Sequence, residues 1–155
     1  MKKLISYTSA LLVLVATMAA HAETQTRTGT TYMVSVQNGN VIETPAGKTN
    51  LGYISHGSSV GDDGIQGSVW CTGQTPLNDE GNPMMDVGYC TTYFDDGSRA
   101  FHSYIRDGDG PTTMTYLGGT GRYKGITGSG TVEFVSGRGD GRAWTTRYTI
   151  TSSTP

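Results

Sequence analysis

The stretch that decides the fold is 116–132, which reads YLGGTGRYKGITGSGTV. Glycine recurs in it at short intervals and accepts positive φ angles and close backbone approach, so the stretch predicts a tight corner that leads into a strand. Tyr123 and Ile126 can point inward and plug this corner. The stretch is not a dinucleotide fingerprint, because Lys124 stands where a G-x-G-x-x-G pattern beginning at Gly119 needs glycine.

Segments rich in Thr, Val and Tyr lie on both sides of this corner, separated by turn clusters such as Asp95-Asp96-Gly97. No long segment shows the 3.6-residue periodicity of a helix, which predicts an all-β chain. Eight short-linked strands favour an antiparallel, closed, calycin-like barrel, while a two-layer sandwich also fits the periodicity. The expected strands are 30–37, 49–56, 65–73, 86–94, 98–106, 112–117, 128–135 and 142–151.

The hairpin around Asp96-Gly97 predicts which side chains share a face. If these two residues are the centre of a two-residue turn, Thr91 faces His102 and Tyr89 faces Tyr104. Alternation along each strand then separates two sets of side chains. The first set is Tyr89, Tyr93, His102 and Tyr104, and the second is Cys90, Phe94, Phe101 and Ile105.

The chain has two cysteines, Cys71 and Cys90, for which an intramolecular disulfide is the natural interpretation in an exported chain. A reactive or metal-binding thiol is the alternative. If these cysteines pair across neighbouring strands, Trp70 joins the first face of the hairpin. The candidate ligand pocket, made of rings with polar tips and one imidazole, is Trp70, Tyr89, Tyr93, His102 and Tyr104. Ordinary strand propensity also accounts for these tyrosines.

The first 22 residues resemble a secretory signal peptide. Lys2 and Lys3 precede an apolar run, and Ala20-His21-Ala22 forms a small-x-small cleavage site. Cleavage leaves residues 23–155 as one domain and predicts a periplasmic or secreted protein. It also removes two of the 11 Lys and Arg residues, so that 9 stand against 13 Asp and Glu, a charge near −4. Nucleic acid and, after cleavage, a membrane are therefore not expected as partners.

Three patterns that resemble chemical motifs do not predict a site, and the first two are better explained as turns. The G-x-S-x-G spacing at 57–61 lacks the strand-to-helix setting of a hydrolase nucleophile elbow. The acidic turns lack the ligand spacing of a calcium loop. His56 and His102, the two histidines after residue 22, have no carboxylate or thiolate at zinc-ligand spacing. We therefore expect no metal site, and no catalytic residue is assigned.

The stretch 116–134 resembles the G-G-T-G-x-[FY]-x-G-x-x-G-x-G signature of the allene-oxide-cyclase-like and dirigent-like barrel proteins. This resemblance implies an eight-stranded barrel with a mainly apolar cavity, no metal or organic cofactor, and often a homo-oligomer, a trimer or a dimer. Plant members cyclise an allene oxide or direct the coupling of phenoxy radicals. Their active-site motifs have no alignable counterpart here.

Three functions follow as hypotheses. The first is the binding of a small hydrophobic or aromatic ligand in the barrel, which alternation predicts to be lined by Tyr32, Val34, Val132, Phe134, Trp144, Tyr148 and Ile150. The second is a cofactor-free cyclase or isomerase, with His102 or a tyrosine handling the proton. The third is an interaction protein with a packed barrel, whose outer face would carry Phe94, Phe101 and Ile105.

Overall fold

Eight antiparallel strands follow one another round a closed barrel. The structure is a computed structural model and describes residues 23–43, 49–78, 80, 84–108, 110–139 and 142–155. The strands are β1 (Glu23–Glu43), β2 (Thr49–Gly61), β3 (Gln66–Pro76), β4 (Met85–Phe94), β5 (Arg99–Asp107), β6 (Thr112–Thr120), β7 (Thr127–Gly137) and β8 (Ala143–Thr154), with a 3₁₀ turn at Gly121–Tyr123. The expected leader, residues 1–22, lies outside the described residues.

Closure of the barrel comes from β1, which pairs with β2 on one side and with β8 on the other. Twelve consecutive residue pairs join β1 to β8, from Glu23 opposite Thr154 to Val34 opposite Ala143. The prediction of a closed eight-stranded antiparallel barrel is therefore confirmed, and the two-layer sandwich is excluded. β1 begins at Glu23, seven residues before its expected start.

The disulfide predicted between Cys71 and Cys90 is present. The two cysteines lie directly opposite each other on β3 and β4, with their Cα atoms 4.1 Å apart. Cys90 is buried beside Met33 and Val69, and Cys71 packs against the same cluster. The disulfide therefore lies on the inner wall of the barrel.

The predicted register of the β4–β5 hairpin is wrong by one residue. The backbone N–H of Gly97 donates to Phe94 O at 3.0 Å and that of Phe94 donates to Ser98 O at 3.0 Å, so the loop contains three residues. Gly97 has φ of 79°, as expected for the last residue of a three-residue hairpin loop. In consequence Cys90 faces His102, and Thr91 faces Phe101.

Gly57 allows β1 and β2 to approach closely inside the barrel. It lies opposite Met33 on β1 and opposite Val69 on β3. A Cβ atom at this position would collide with the backbone carbonyl of Tyr32 and would lie 2.9 Å from the Cα of Met33. Because both neighbours are backbone atoms, they cannot move aside as a flexible side chain could.

We expect loss of the disulfide to destabilise the barrel without changing its topology. A Cys71→Ala/Cys90→Ala variant removes a cross-link between residues 19 apart in the sequence, worth about 3 kcal/mol in the chain-entropy model. The midpoint of thermal unfolding should fall by about 10 °C. Excess reductant should lower the midpoint of the wild type and leave that of the variant unchanged. An unchanged midpoint in the variant would contradict this account.

Two glycines on β2 provide a matched pair for the close approach. Gly57→Ala should lower the free energy of unfolding by about 1–3 kcal/mol, the usual range for overpacking, as measured by urea denaturation. Gly52→Ala should be nearly neutral, because its nearest contact, Gly73 O, would lie 3.9 Å from the new Cβ. If the two substitutions lowered the free energy of unfolding equally, the loss at position 57 would come from strand propensity and not from the contact with the backbone of β1.

Candidate functional site

The interior of the barrel contains a cavity of about 480 Å³ that is partly open to solvent. This volume lies within the range of small-molecule sites, which are concave and mostly apolar with a few placed polar groups. All eight strands contribute to the wall through alternate residues. The larger apolar side chains of the wall are Met33, Val69, Phe94, Met114, Val132, Phe134, Trp144 and Ile150.

One end of the barrel is filled by the glycine-rich corner. Tyr123 and Ile126 are both buried, as the sequence predicts, and they pack against Ala100 on β5. The Tyr123 ring stacks on Phe94 with centroids 4.4 Å apart, and Arg27 Nη1 donates a hydrogen bond to its hydroxyl at 3.2 Å. The corner therefore acts as a plug fixed by stacking and by a guanidinium group.

A row of two tyrosines and two glycines lies across β2, β3, β4 and β5. Tyr53 is opposite Gly73, Gly73 is opposite Gly88, and Gly88 is opposite Tyr104. A Cβ atom at either glycine would collide with the Tyr104 hydroxyl. The two glycines thus leave the space in which the hydroxyls of Tyr53 and Tyr104 meet in a hydrogen bond.

Asp86 extends this pair into a chain of polar groups. The Tyr53 hydroxyl donates to Asp86 Oδ1 at 2.9 Å, and the Thr75 hydroxyl donates to the same oxygen at 3.4 Å. Burial raises the pKa of Asp86, although these two hydrogen bonds and the charge of Arg106 oppose the shift. Burial also raises the pKa of Tyr53 and of Tyr104. The cluster is therefore a partly buried carboxyl group held by neutral phenols.

The neighbouring row carries the disulfide. Ser55 faces Cys71, and Cys90 faces His102, so that four residues follow one another round the inner wall. His102 is 8% exposed, and burial lowers its pKa to about 4. Its ring meets the edge of Tyr116, whose pKa burial raises to about 12. The imidazole is therefore neutral at physiological pH.

The five residues predicted to form one ligand pocket are divided between the two sides of the wall. His102 and Tyr104 line the cavity. The other three residues do not line that cavity. They lie on the outside of the barrel, where the exposed fraction is 50% for Trp70, 63% for Tyr89 and 41% for Tyr93. The expectation that all five share a face is wrong because the three-residue loop shifts β5 by one residue, which reverses its faces relative to β4.

The other predicted face is divided for the same reason. Cys90 and Phe94 lie on the inner wall, whereas Ile105 is 51% exposed on the outside. Phe101 lies opposite Thr91, next in sequence to the inward His102, and therefore also belongs to the outer face. An outer surface made of Phe94, Phe101 and Ile105 together is thus wrong.

The predicted interior residues are correct on β7 and β8 and wrong on β1. The cavity is lined by Val132, Phe134, Trp144, Tyr148 and Ile150. Tyr32 and Val34, in contrast, are exposed on the outside of β1, where Thr31, Met33 and Ser35 face inward.

Three residues of the inner wall were not predicted from the sequence, namely Asp86, Tyr53 and Ser55. For Asp86 a signal was present, because it lies four residues before Cys90 on the same strand and therefore on the same face as the disulfide. Tyr53 and Ser55 lie on β2, for which the sequence offers no comparable reference residue. Their positions become clear only from the pairing of β2 with β3.

Among the residues that the structure describes, no three His, Cys, Asp or Glu side chains are grouped so that they could hold a metal ion. In the same part of the chain, no helix has the length and apolar character needed to cross a membrane. The polar groups that line the cavity are hydroxyls, the carboxyl groups of Asp63 and Asp86, the imidazole of His102 and several guanidinium groups.

No protein-family model matches the chain, and no match was found among curated proteins. Among solved structures, the barrel is similar to that of a pterocarpan synthase dirigent protein, with a TM-score of 0.59 and 15% sequence identity over 86% of each chain. At this identity the likeness concerns the fold. The dirigent-like barrel implied by the stretch 116–134 is therefore confirmed as the architecture of this chain.

Proposed function

We propose that the barrel binds a small, largely apolar molecule in its interior. The observation that carries the proposal is the cavity of about 480 Å³, because an eight-stranded barrel is narrow enough for side chains alone to fill it. Here the wall leaves room beside Met114, Val132 and Trp144, which offer apolar contact. Transfer of an apolar ligand from water into this space supplies the driving force.

The compartment belongs to the same proposal. The Cys71–Cys90 disulfide is stable in an oxidising environment, which supports export to the periplasm or beyond the cell. The homo-oligomer implied by the family resemblance stays a prediction. Exposed apolar side chains on the outer faces of β1 to β4, among them Tyr32, Val36, Trp70 and Tyr89, supply a surface on which it could form.

A second candidate function is a cofactor-free cyclase or isomerase, supported by the chain of Asp86, Tyr53 and Tyr104. An acid whose pKa is raised keeps its proton at higher pH and can donate it to a bound substrate. The barrel wall would also separate a bound molecule from part of the surrounding water. The dirigent protein of similar fold is a pterocarpan synthase by name, which is consistent with chemistry in a barrel of this kind.

Filling the cavity should weaken binding. Val132→Trp places a large ring on the inner wall of β7, and we expect it to weaken the binding of an apolar fluorescent dye by at least about tenfold. Val135→Trp is the matched control, since Val135 lies on the same strand and is 59% exposed. Dye titration and native mass spectrometry measure both variants. Absence of binding by the wild type, or equal binding by both variants, would overturn the proposal.

The acid role requires that Asp86 keep its proton in the folded state. The unfolded chain releases this proton near pH ~3.9, whereas the folded chain holds it to a higher pH. The free energy of unfolding should therefore fall as pH rises from the unfolded pKa through the folded one. In Asp86→Asn this fall should shrink, and at pH 7 the variant should be at least as stable as the wild type.

Urea denaturation between pH 3 and pH 7 measures this dependence. Asp62→Asn is the control of opposite sign, because hydrogen bonds from Thr28 and Arg147 hold the pKa of Asp62 below its ordinary value. The stability that Asp62 contributes is lost as pH falls. An unchanged pH dependence in Asp86→Asn would mean that the carboxyl group has an ordinary pKa, and a steeper fall would mean that its pKa is lowered. Either result would reject the acid role.

A further inference from the structure

A second concave surface lies on the outside of the barrel, across β3, β4, β5 and β6. It is a groove of about 500 Å³ that is open to solvent, on the opposite side of the sheet from the interior cavity. Eight outward side chains line it in two parallel rows, and each of the four strands contributes one residue to each row. We name these residues the outer panel: its first row is Thr72, Tyr89, Ser103 and Thr115, and its second row is Gln74, Val87, Ile105 and Thr113.

The groove exists because the side chains of the outer panel differ in length. The ring of Tyr89 is 63% exposed and lies directly opposite the short side chain of Ser103, which in turn lies opposite Thr115. Between the two rows, Gly73 and Gly88 lie opposite each other and line the groove without a side chain of their own. The outside of a barrel is thus concave at this place, with a ring along one side.

The outer panel has no charged side chain. Its polar groups are hydroxyls and the amide of Gln74, and each of these groups can both donate and accept hydrogen bonds. Val87 and Ile105 add apolar surface beside them. A charged ligand would find no opposite charge on the panel, so the surface suits an uncharged ligand that carries several hydrogen-bonding groups.

The composition of the panel favours a carbohydrate over a protein partner. The buried core of a protein interface is enriched in aromatic residues, Met and Arg and is depleted in Ser. The panel has one ring among eight side chains, and four of the others are Thr or Ser. A sugar presents the complementary groups, because its hydroxyls lie round the ring edge and its C–H groups can pack on the face of an aromatic ring.

Strand geometry repeats the hydroxyls at regular distances. Neighbouring strands lie about 4.8 Å apart, so Ser103 and Thr115 present their hydroxyls on the same side at about this spacing. Thr113 lies two residues from Thr115 on β6, which corresponds to roughly 7 Å along the strand. A chain of sugar rings, whose hydroxyls also recur, can therefore form several of these hydrogen bonds at once.

We propose that the outer panel binds an uncharged carbohydrate chain. The ring of Tyr89 packs against the face of one sugar, and the hydroxyls of Ser103, Thr113 and Thr115 form hydrogen bonds to sugar hydroxyls. The site lies outside the barrel, so it goes beyond the proposed interior function and does not depend on it.

Electrophoresis in native gels that contain a polysaccharide measures this binding. The probes are four neutral polymers, namely hydroxyethylcellulose, dextran, glycogen and galactomannan, and one acidic polymer, polygalacturonate. At least one neutral polymer should retard the wild type, and polygalacturonate should not. Tyr89→Ala should weaken this binding by at least about tenfold, the effect expected for loss of a central aromatic contact. Tyr89→Trp should retain it. Tyr32→Ala is the matched control, since Tyr32 is 52% exposed on the outer face of β1 and does not belong to the panel.

Two threonines give a second readout that does not depend on the ring. Thr115→Val removes one hydroxyl and keeps the shape of the side chain, so it should weaken the same binding by about fivefold, the usual effect of a neutral hydrogen bond. Thr149→Val is the matched control, because Thr149 is exposed on β8 and lies outside the panel. The midpoint of thermal unfolding shows that each variant is folded.

Four results would overturn the proposal. They are a wild type that no neutral polymer retards, equal retardation by polygalacturonate, unchanged binding in both Tyr89→Ala and Thr115→Val, and a Tyr89→Ala variant whose size in solution falls while its binding is unchanged. The last result would show that the outer panel is a contact between copies of this chain. Each of them leaves the interior binding function untouched, since dye titration tests that function separately.

Discussion

The pairing of β1 with β8 is the interaction on which the rest of the structure depends. Twelve residue pairs close the sheet on itself, and closure gives every strand an inner and an outer side. Without it, Met33 on β1 and Trp144 on β8 would not lie side by side in the wall. The inner side would then be an exposed sheet face, and neither the buried carboxyl group nor the buried imidazole would be shielded from water.

Removal from water shifts the titratable groups of the interior toward their uncharged forms. Burial raises the pKa of Asp86 and of Tyr53, and it lowers the pKa of His102. Fixed charges also line the cavity, as in the ion pair of Arg27 with Asp63, with 3.6 Å between Nε and Oδ2, beside the plugged end, and in Arg106, whose charge opposes the shift at Asp86. Burial therefore disfavours the charged forms of Asp86, Tyr53 and His102 without making the cavity as a whole uncharged.

The strands, the barrel, the disulfide and the inward plug of Tyr123 and Ile126 could be predicted from the sequence, because each depends on local turn chemistry or on one pair of residues. The shared face of the hairpin could not, because two-residue and three-residue turns both suit the Asp95-Asp96-Gly97 cluster. A difference of one residue in the loop moves every side chain of one strand to the other face. The inward-facing residues of β4 and β5 could therefore not be assigned together, because the residues of the turn do not decide between the two loop lengths.

The error on β1 has a different cause, and it explains why the cavity exists. Alternation assigns the larger apolar side chains to the interior, but on β1 Tyr32 and Val34 face outward while Thr31 and Ser35 face the cavity. That rule holds for a strand that packs against a filled core. Here a short side chain on the inner face leaves space, and the inward Gly57 continues this pattern on β2.

Because short side chains leave the interior of the barrel unfilled, the barrel has fewer apolar contacts than usually stabilise a domain of this size. A covalent link between β3 and β4 offsets some of that loss, since it restricts the unfolded chain without occupying the cavity as a large side chain would. Among the residues that the structure describes, Ser55 Oγ and His102 Nδ1 on this wall have no hydrogen-bond partner. The short inward side chains, the unfilled space and the disulfide are consistent with one another, because the cross-link stabilises a wall whose inner side chains leave the interior partly unpacked.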